Sequence, residues 1–443
     1  MTRPGGVWRN WGRTATVRPM RVEFPALTDA VRRAVRAATT RGLRVKAVGS
    51  GHSFNDVAAA PEILLDLRDL TGLVRVDRER RRVTLRAGTP LHRIPRLLAP
   101  YGWAMTNLGD IDRQTIAGAV STGTHGTGAR FGGIATQVVG AVLVTADGEL
   151  LRVDDGENAD LLPAVALGLG ALGVLVEVTL QVVPAFLLHA VERREPLDAV
   201  LADLDARAAG ADHFEFYWFP RTDVAQTKTN TRLPESEPRR PLPRVGRFVE
   251  DTLLSNHAYR AMCAAASAVP ALSTPLARVG ARTIGEREYT DRSDRVFTQH
   301  RGVRFREMEY AVPLDRLRPA FEAVRALVEE RPWQVSFPVE VRVAAADDRW
   351  LSTAYGRDSG YIAVHRYWRE DPTAYFAQVE ELMQRFDGRP HWGKMHGLDA
   401  AVLRTRYPRF DDFVALRDRL DPTRRFTNRY LEQVLGERTG PAA

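Results

Sequence analysis

Lys46-Ala-Val-Gly-Ser-Gly-His-Ser-Phe-Asn-Asp56 is the stretch on which the reading of this chain turns. It closes a hydrophobic run, Leu43 to Val48, that reads as a buried strand, and then delivers Gly49, Ser50 and Gly51 in succession. Glycines at a strand end let main-chain N–H groups approach a bound diphosphate closely, because no side chain intervenes. A cradle of that kind suits a nucleotide. Two other phosphate loops do not fit: a Walker loop needs Gly-Lys-Ser/Thr, and a dinucleotide fingerprint needs a third glycine with a helix opening straight after the turn. Here the third position is Asn55, and the chain runs through Ala58-Ala-Ala-Pro61 into a second strand-like run, Ile63 to Leu67. His52 then has two readings. It is either a turn imidazole hydrogen-bonded to nearby backbone, or an imidazole held beside a bound cofactor and tethered to it.

Gly49-Ser-Gly-His-Ser53 resembles the flavin-attachment loop of the aldonolactone oxidases, the gulonolactone and arabinonolactone oxidase group of the vanillyl-alcohol-oxidase type flavoproteins. The resemblance recurs along most of the chain. It implies an α+β, two-domain flavoprotein with a vanillyl-alcohol-oxidase type FAD-binding domain and an α+β substrate (cap) domain. FAD would contact Gly49, Ser50, Gly51, His52 and Ser53 and be joined covalently through His52.

A second segment carries the same signal: Asn107-Leu-Gly-Asp-Ile-Asp-Arg-Gln-Thr-Ile-Ala-Gly-Ala-Val-Ser-Thr-Gly-Thr-His-Gly-Thr-Gly128. Its small residues from Ala117 to Gly128 read as too numerous for a packed helix, and a backbone this bare can lie against a planar ring. Asn-Leu-Gly-x-Ile-Asp followed by Gln-Thr is similar to the aldonolactone branch, where this segment contacts the flavin; the alditol oxidases differ here. The resemblance assigns Gly109, Asp110, Gly118, Ser121, Thr122, Gly123, His125 and Gly126 to the cofactor, with Asp110 also beside substrate. Gly109 is read either as a turn glycine or, by the resemblance, as the small residue at the flavin edge that accompanies oxidases rather than dehydrogenases. Gly170 to Leu180 resembles the last flavin strand, with Val174 on the cofactor.

The 443 residues, 44% hydrophobic and 27% charged, are ordinary globular material for two or three domains. Domain limits are expected at 1–184 for FAD, 185–405 for substrate and 406–443 for a segment returning to the FAD domain, the last because Asp421 to Tyr430 resembles the family's closing segment. One cysteine, Cys263, excludes an internal disulfide and reads as core packing. Met1-Thr-Arg-Pro-Gly-Gly lacks the apolar segment of a secretory signal, so a cytoplasmic protein is expected. The net charge of +8 raises nucleic-acid binding as an alternative. Its densest basic run, Arg78-Glu-Arg-Arg-Arg82, lies between two alternating segments and reads as a solvated hairpin turn.

Elsewhere Thr28 to Thr39 has helical spacing with Thr28 or Asp29 as cap, and Ala146-Asp-Gly-Glu149 marks a hairpin. Trp8 to Gly12 reads as a packed aromatic arm, Leu161 to Val176 as a buried helix-turn-strand, and Phe214 to Phe219 as a strand. Arg232 to Val245 reads as a mobile surface loop. Ala261 to Ala277, uncharged, is either an apolar helix pair in the core or a face leaning on a membrane.

Phe337-Pro-Val-Glu-Val-Arg-Val343 alternates as a strand, so Glu340 and Arg342 share one face. Such a pair is a surface cross-link, or a clamp for a polyhydroxylated molecule in which Arg donates and Glu accepts. The sequence that follows resembles that after the family's substrate-binding Glu and Arg, which favours the clamp. His365, on the next strand, is expected to face the same cavity. His391 and His396 are five apart, which fits no common metal pairing, so no metal is expected. All but three of the 63 basic residues are arginine, so Lys394, in His391-Trp-Gly-Lys394, which resembles a motif specific to this family, marks a place where a compact ammonium is wanted. The resemblance implies FAD-dependent oxidation of a sugar 1,4-lactone by hydride transfer to flavin N5. Glu340, Arg342 and Lys394 would carry the chemistry, with substrate also held by Asp110 and His365, and reoxidation would be by O2 or a protein acceptor. The enzyme alternative is an alditol oxidase, because Ser53-Phe-Asn55 is also similar to that group.

Overall fold

The computed structural model describes residues 2–4, 6–60, 62–243, 258–272, 275–276, 278–279, 285–299, 301–333 and 335–437. The first cradle sits at the end of Val45–Val48, a strand in a four-stranded sheet ordered Thr2–Pro4, Arg21–Glu23, Ile63–Asp66, Val45–Val48. Ile63–Asp66 runs parallel to both its neighbours, and parallel pairing requires a crossover. Helix Thr28–Thr40 provides it, burying Val31, Ala34, Val35 and Ala38 on one face against a second sheet. Its N-cap is Leu27, which offers no side-chain bond, in place of the expected Thr28 or Asp29. Asp29 instead lies in the first turn, where a carboxylate complements the helix dipole.

That second sheet is antiparallel, ordered Leu150–Asp154, Val138–Val144, Val174–Gln181, Arg82–Arg86, Leu73–Asp77. Both expected hairpins lie in it, with Gly148 at φ 79° and Arg81 at φ 52° in their turns. The Arg78 run is therefore a turn between paired strands.

The third sheet has eight strands, in the order Arg287–Arg292, Phe186–Pro196, Val224–Pro234, His213–Trp218, Val339–Ala344, Ser359–Tyr367, Phe305–Pro313, Arg389–Pro390. Strand alternation gives it two faces of opposite character. Val339, Val341, Val343, Phe216, Trp218 and Val312 are buried with helices Leu317–Glu330 and Thr373–Arg385, where Phe321 meets Phe216 and Trp218 edge-on. The opposite face carries buried charge and lines a cavity.

Two expectations need correction. The bare segment after Gln114 opens with helix Ile116–Ser121, because Thr115 accepts the N–H of Gly118 as a side-chain cap. Arg232 to Pro234 belongs to strand Val224–Pro234, and of the rest of that expected loop 244–245 lies outside the described residues. Helix Tyr259–Ala268 buries Cys263 and Ala266, whereas Val269 and Leu272 beyond it are exposed; 273, 274 and 277 lie outside the described residues. Among the described residues no helix is long and apolar enough to cross a membrane.

Candidate active site

Two connected clefts meet at His52 and Ser53, which line both. The narrower is walled by Gly49, Ser50, Gly51, Gly118, Ser121 and Gly173. Its bareness is enforced by contact: a Cβ on Gly49 would lie 2.2 Å from Thr115 Oγ1, so the two glycine segments touch where a side chain would part them. Gly51, at φ +67°, holds the turn that a side chain would strain. Among the described residues the main-chain N–H groups of Ser50, Gly51, His52 and Ser53 donate to no protein acceptor. A run of unpaired donors beside glycine is what a diphosphate needs. Lys46 anchors the base of the cleft, donating to the carbonyls of Gly170 at 3.0 Å and Phe426 at 3.1 Å. Burial pushes its ammonium down to about 7, against the pull of Asp421.

His52 is not the turn imidazole of the first reading. Its ring makes no hydrogen bond among the described residues and stacks on Trp11 at 5.7 Å. Burial, followed by the charges of Lys394 and Arg113, pushes it down to about 4, so it is neutral at pH 7.

The wider cavity, about 460 Å³, lies over the charged face of the eight-stranded sheet. Arg342 pairs with Glu340 and donates through Nε to Glu215 at 2.9 Å, with Asp110 at 3.8 Å. Tyr217 donates its hydroxyl to Glu340 at 3.1 Å, and Arg301 holds Asp110 at 3.0 Å. Lys394 pairs with Glu307, which His365 approaches at 3.6 Å. Five carboxyl groups, Asp110, Glu215, Glu307, Glu309 and Glu340, share this cluster with Arg301, Arg342 and Lys394; burial opposes ionisation of Glu307, but Lys394 holds it below the usual carboxylate range. Burial raises the Glu340 carboxyl, Asp110 and Glu215 add to the rise, and Arg342 opposes it. Burial works against ionisation of Asp110 too, but Arg301 and Arg342 overcome it and hold that group at about 2. The Lys394 ammonium is raised despite burial by Glu307 and Glu309. Two adjacent carboxyls with opposite shifts are a common basis for separating a proton acceptor from a fixed charge.

Most residues singled out in the sequence come together here. Gly49, Ser50, Gly51, His52, Ser53, Gly118, Ser121 and Thr122 line the narrow cleft; Gly109, Asp110, His125, Glu340, Arg342, His365 and Lys394 line the wide one. Gly123, Gly126 and Val174 line neither. Gly126 is a packing glycine, since a Cβ there would lie 2.3 Å from the Leu108 carbonyl oxygen, and Gly123 at φ +76° turns the chain after the helix. Strand alternation buries Val174 and presents Gly173 and Leu175 instead. Arg301, Tyr217, Glu307 and Glu309 were missed. The carboxylates at i and i+2 in Phe305–Pro313 carry the same signal as Glu340 and Arg342, whereas Arg301 lies in irregular chain that shows none.

His125, Glu309 and His391 place possible metal-ligand atoms within 4.8 Å of one another. Hydrogen bonds already assign these groups: His125 has Gly126 O at Nδ1 and Glu309 at Nε2. His391 accepts the Gly393 N–H at Nδ1, which places its proton on Nε2.

A bare donor-lined cleft for a diphosphate, opening on a buried charged chamber over an antiparallel sheet, defines an FAD-binding flavoprotein. Residues 19–154 match the model of an FAD binding domain, and residues 178–434 match that of D-arabinono-1,4-lactone oxidase. The chain belongs to this aldonolactone oxidase family of FAD-linked oxidoreductases. It is 42% identical over 430 residues to an L-gulono-1,4-lactone dehydrogenase of Mycobacterium tuberculosis, covering 97% of this chain and 99% of that one. An L-gulonolactone oxidase of Scyliorhinus torazame is 33% identical over 437 residues, covering 97% and 98%. The fold is shared with a solved cholesterol oxidase of Brevibacterium sterolicum, at TM-score 0.83 and 16% identity over 98% of this chain and 97% of that one.

Proposed function

We propose that this protein oxidises an aldono-1,4-lactone at a hydroxyl-bearing carbon, and the observation that carries the reading is the convergence of Glu340, Arg342 and Lys394 on one chamber beside the glycine cleft. Bound FAD supplies the hydride acceptor, later reoxidised by O2 or another acceptor. Arg342, fixed between Glu340 and Glu215, presents guanidinium N–H groups to the substrate oxygens. Glu340, with its raised affinity for a proton, receives the hydroxyl proton. Lys394, held charged by Glu307, stabilises negative charge developing at the ring edge. Asp110 and His365 bound the substrate, and Gly109 keeps the chain packed closely here, since a Cβ would lie 3.0 Å from the His125 carbonyl oxygen.

Residues 1–184 form the FAD unit in this reading, 185–405 the substrate unit and 406–443 the segment returning to the first. His52, neutral and with no hydrogen-bond partner among the described residues, carries the flavin covalently. The arginine-rich surface is paired with acids and takes no nucleic acid in this reading.

Anaerobic mixing with L-gulono-1,4-lactone, and separately with a matching alditol, tests the assignment through loss of visible flavin absorbance. Bleaching by the lactone in preference to the alditol is expected. The reverse order moves the substrate to an open-chain polyol, and bleaching by neither overturns the reading.

A further inference from the structure

The chamber extends past the residues assigned above. At its far end Glu192, Gln226, Lys228 and Arg287 line the same cavity from three neighbouring strands, Phe186–Pro196, Val224–Pro234 and Arg287–Arg292. Register explains the grouping. Glu192 lies directly opposite Arg287 on one side and Lys228 on the other, and Lys228 lies opposite Glu215. Directly opposed residues share a face, so a row of alternating charge, Arg287, Glu192, Lys228, Glu215, leads to Arg342.

Lys228 is the member of that row without an ion pair among the described residues. It is 4% exposed and donates one hydrogen bond, to the Val296 carbonyl at 2.8 Å. An ammonium has three donors, and leaving two unused in a buried place is costly unless something else accepts them. The chain has three lysines, and the other two, Lys46 and Lys394, line the narrow cleft and the chamber. Gln226 lies opposite Tyr217, which reaches Glu340, and half-buried Phe219 adds an aromatic face to the same wall. Two strand spacings, about 10 Å, separate Lys228 from the Arg342 strand. That is past the edge of a single lactone ring and within reach of a second ring joined to it.

We propose that this end of the chamber is a second sugar subsite, so that the enzyme accepts aldonolactones bearing a glycosyl unit on the exocyclic arm. Lys228 and Gln226 donate to the hydroxyls of that unit, Glu192 accepts from them, and Phe219 supports the ring face. The proposal rests on reading the chamber as an aldonolactone site.

The test compares an aldono-1,4-lactone with its 6-O-glucosyl derivative in anaerobic reduction of the holoenzyme, reading the concentration that half-saturates the rate. The glucosyl compound is expected to half-saturate at about tenfold lower concentration, the gain of one or two hydrogen bonds. Lys228→Met should remove that gain and leave the parent lactone unchanged; Gln226→Leu, which disturbs no buried charge, should reduce it. Equal or weaker half-saturation by the glucosyl compound overturns the subsite alone, as does a Lys228→Met variant that folds and weakens both compounds equally. A parent lactone that leaves the flavin oxidised overturns the function and the subsite together.

Discussion

Lys394 shows how a single residue type can be informative. An ammonium beside Glu307 and Glu309 stays charged inside the protein, and as a compact point charge it differs from the planar guanidinium used almost everywhere else in this chain. Lys394→Met should slow anaerobic flavin reduction by about 100-fold or more, the scale of losing one preorganised charge contact, while FAD content stays at wild-type level. Stopped-flow reduction together with a protein-to-flavin absorbance ratio separates these effects. Glu340 supports a pH prediction. Its affinity for a proton is raised by burial, so as a proton acceptor it is competent only above its raised pKa, and reduction should accelerate as pH rises through that value. In Glu340→Gln the rate should be low and this rise should vanish. If the proposed His52 bond is made, the wild type should keep its yellow colour in the acid-precipitated pellet and His52→Ala should release it to the supernatant; colour retained by the variant places the bond elsewhere.

At the scale of elements, strand His213–Trp218 is tied to the second glycine segment by His213. Its Nδ1 donates to the Thr127 carbonyl at 2.7 Å, and Nε2 accepts from Arg232 at 3.2 Å, so both nitrogens are satisfied only in the neutral ring. Burial, aided by Arg232, pushes this imidazole down to about 4. The unfolded chain therefore binds the extra proton first, and stability falls as pH drops from about 6.5 to about 4, by about 3 kcal/mol for this group. Denaturant titrations across that window should show a shallower acid slope in His213→Asn. The helix Ile116–Ser121 shows why this segment was misread. Its glycine and serine residues lower helix propensity, but the Thr115 cap and the packing of Ile116, Ala119 and Val120 in the core outweigh that deficit.

For the whole molecule, Asn428 closes the chain on its beginning. Its Nδ2 reaches the carbonyls of Asp56 at 2.8 Å, Val57 at 3.1 Å and Ala59 at 2.9 Å, and its Oδ1 caps helix Arg429–Leu435. Asn428→Ala leaves the Val57 and Ala59 carbonyls without this partner and removes a cap, which should cost about 2–4 kcal/mol and lower Tm and FAD retention together. An unchanged melting temperature would show that the terminal segment is not a clamp. The strands, the hairpins and the glycine cradle were legible in the sequence because each rests on local geometry: alternation, turn residues, and the missing Cβ. The same alternation put Glu340 beside Arg342 before any fold was known. Tertiary structure alone decided which buried charges share the chamber, since Arg301 joins Asp110 across 191 positions and Tyr217 joins Glu340 across 123. It also decided their protonation. Burial and neighbouring charge set whether a carboxyl holds its proton, and neither exists until the sheet closes over the cleft.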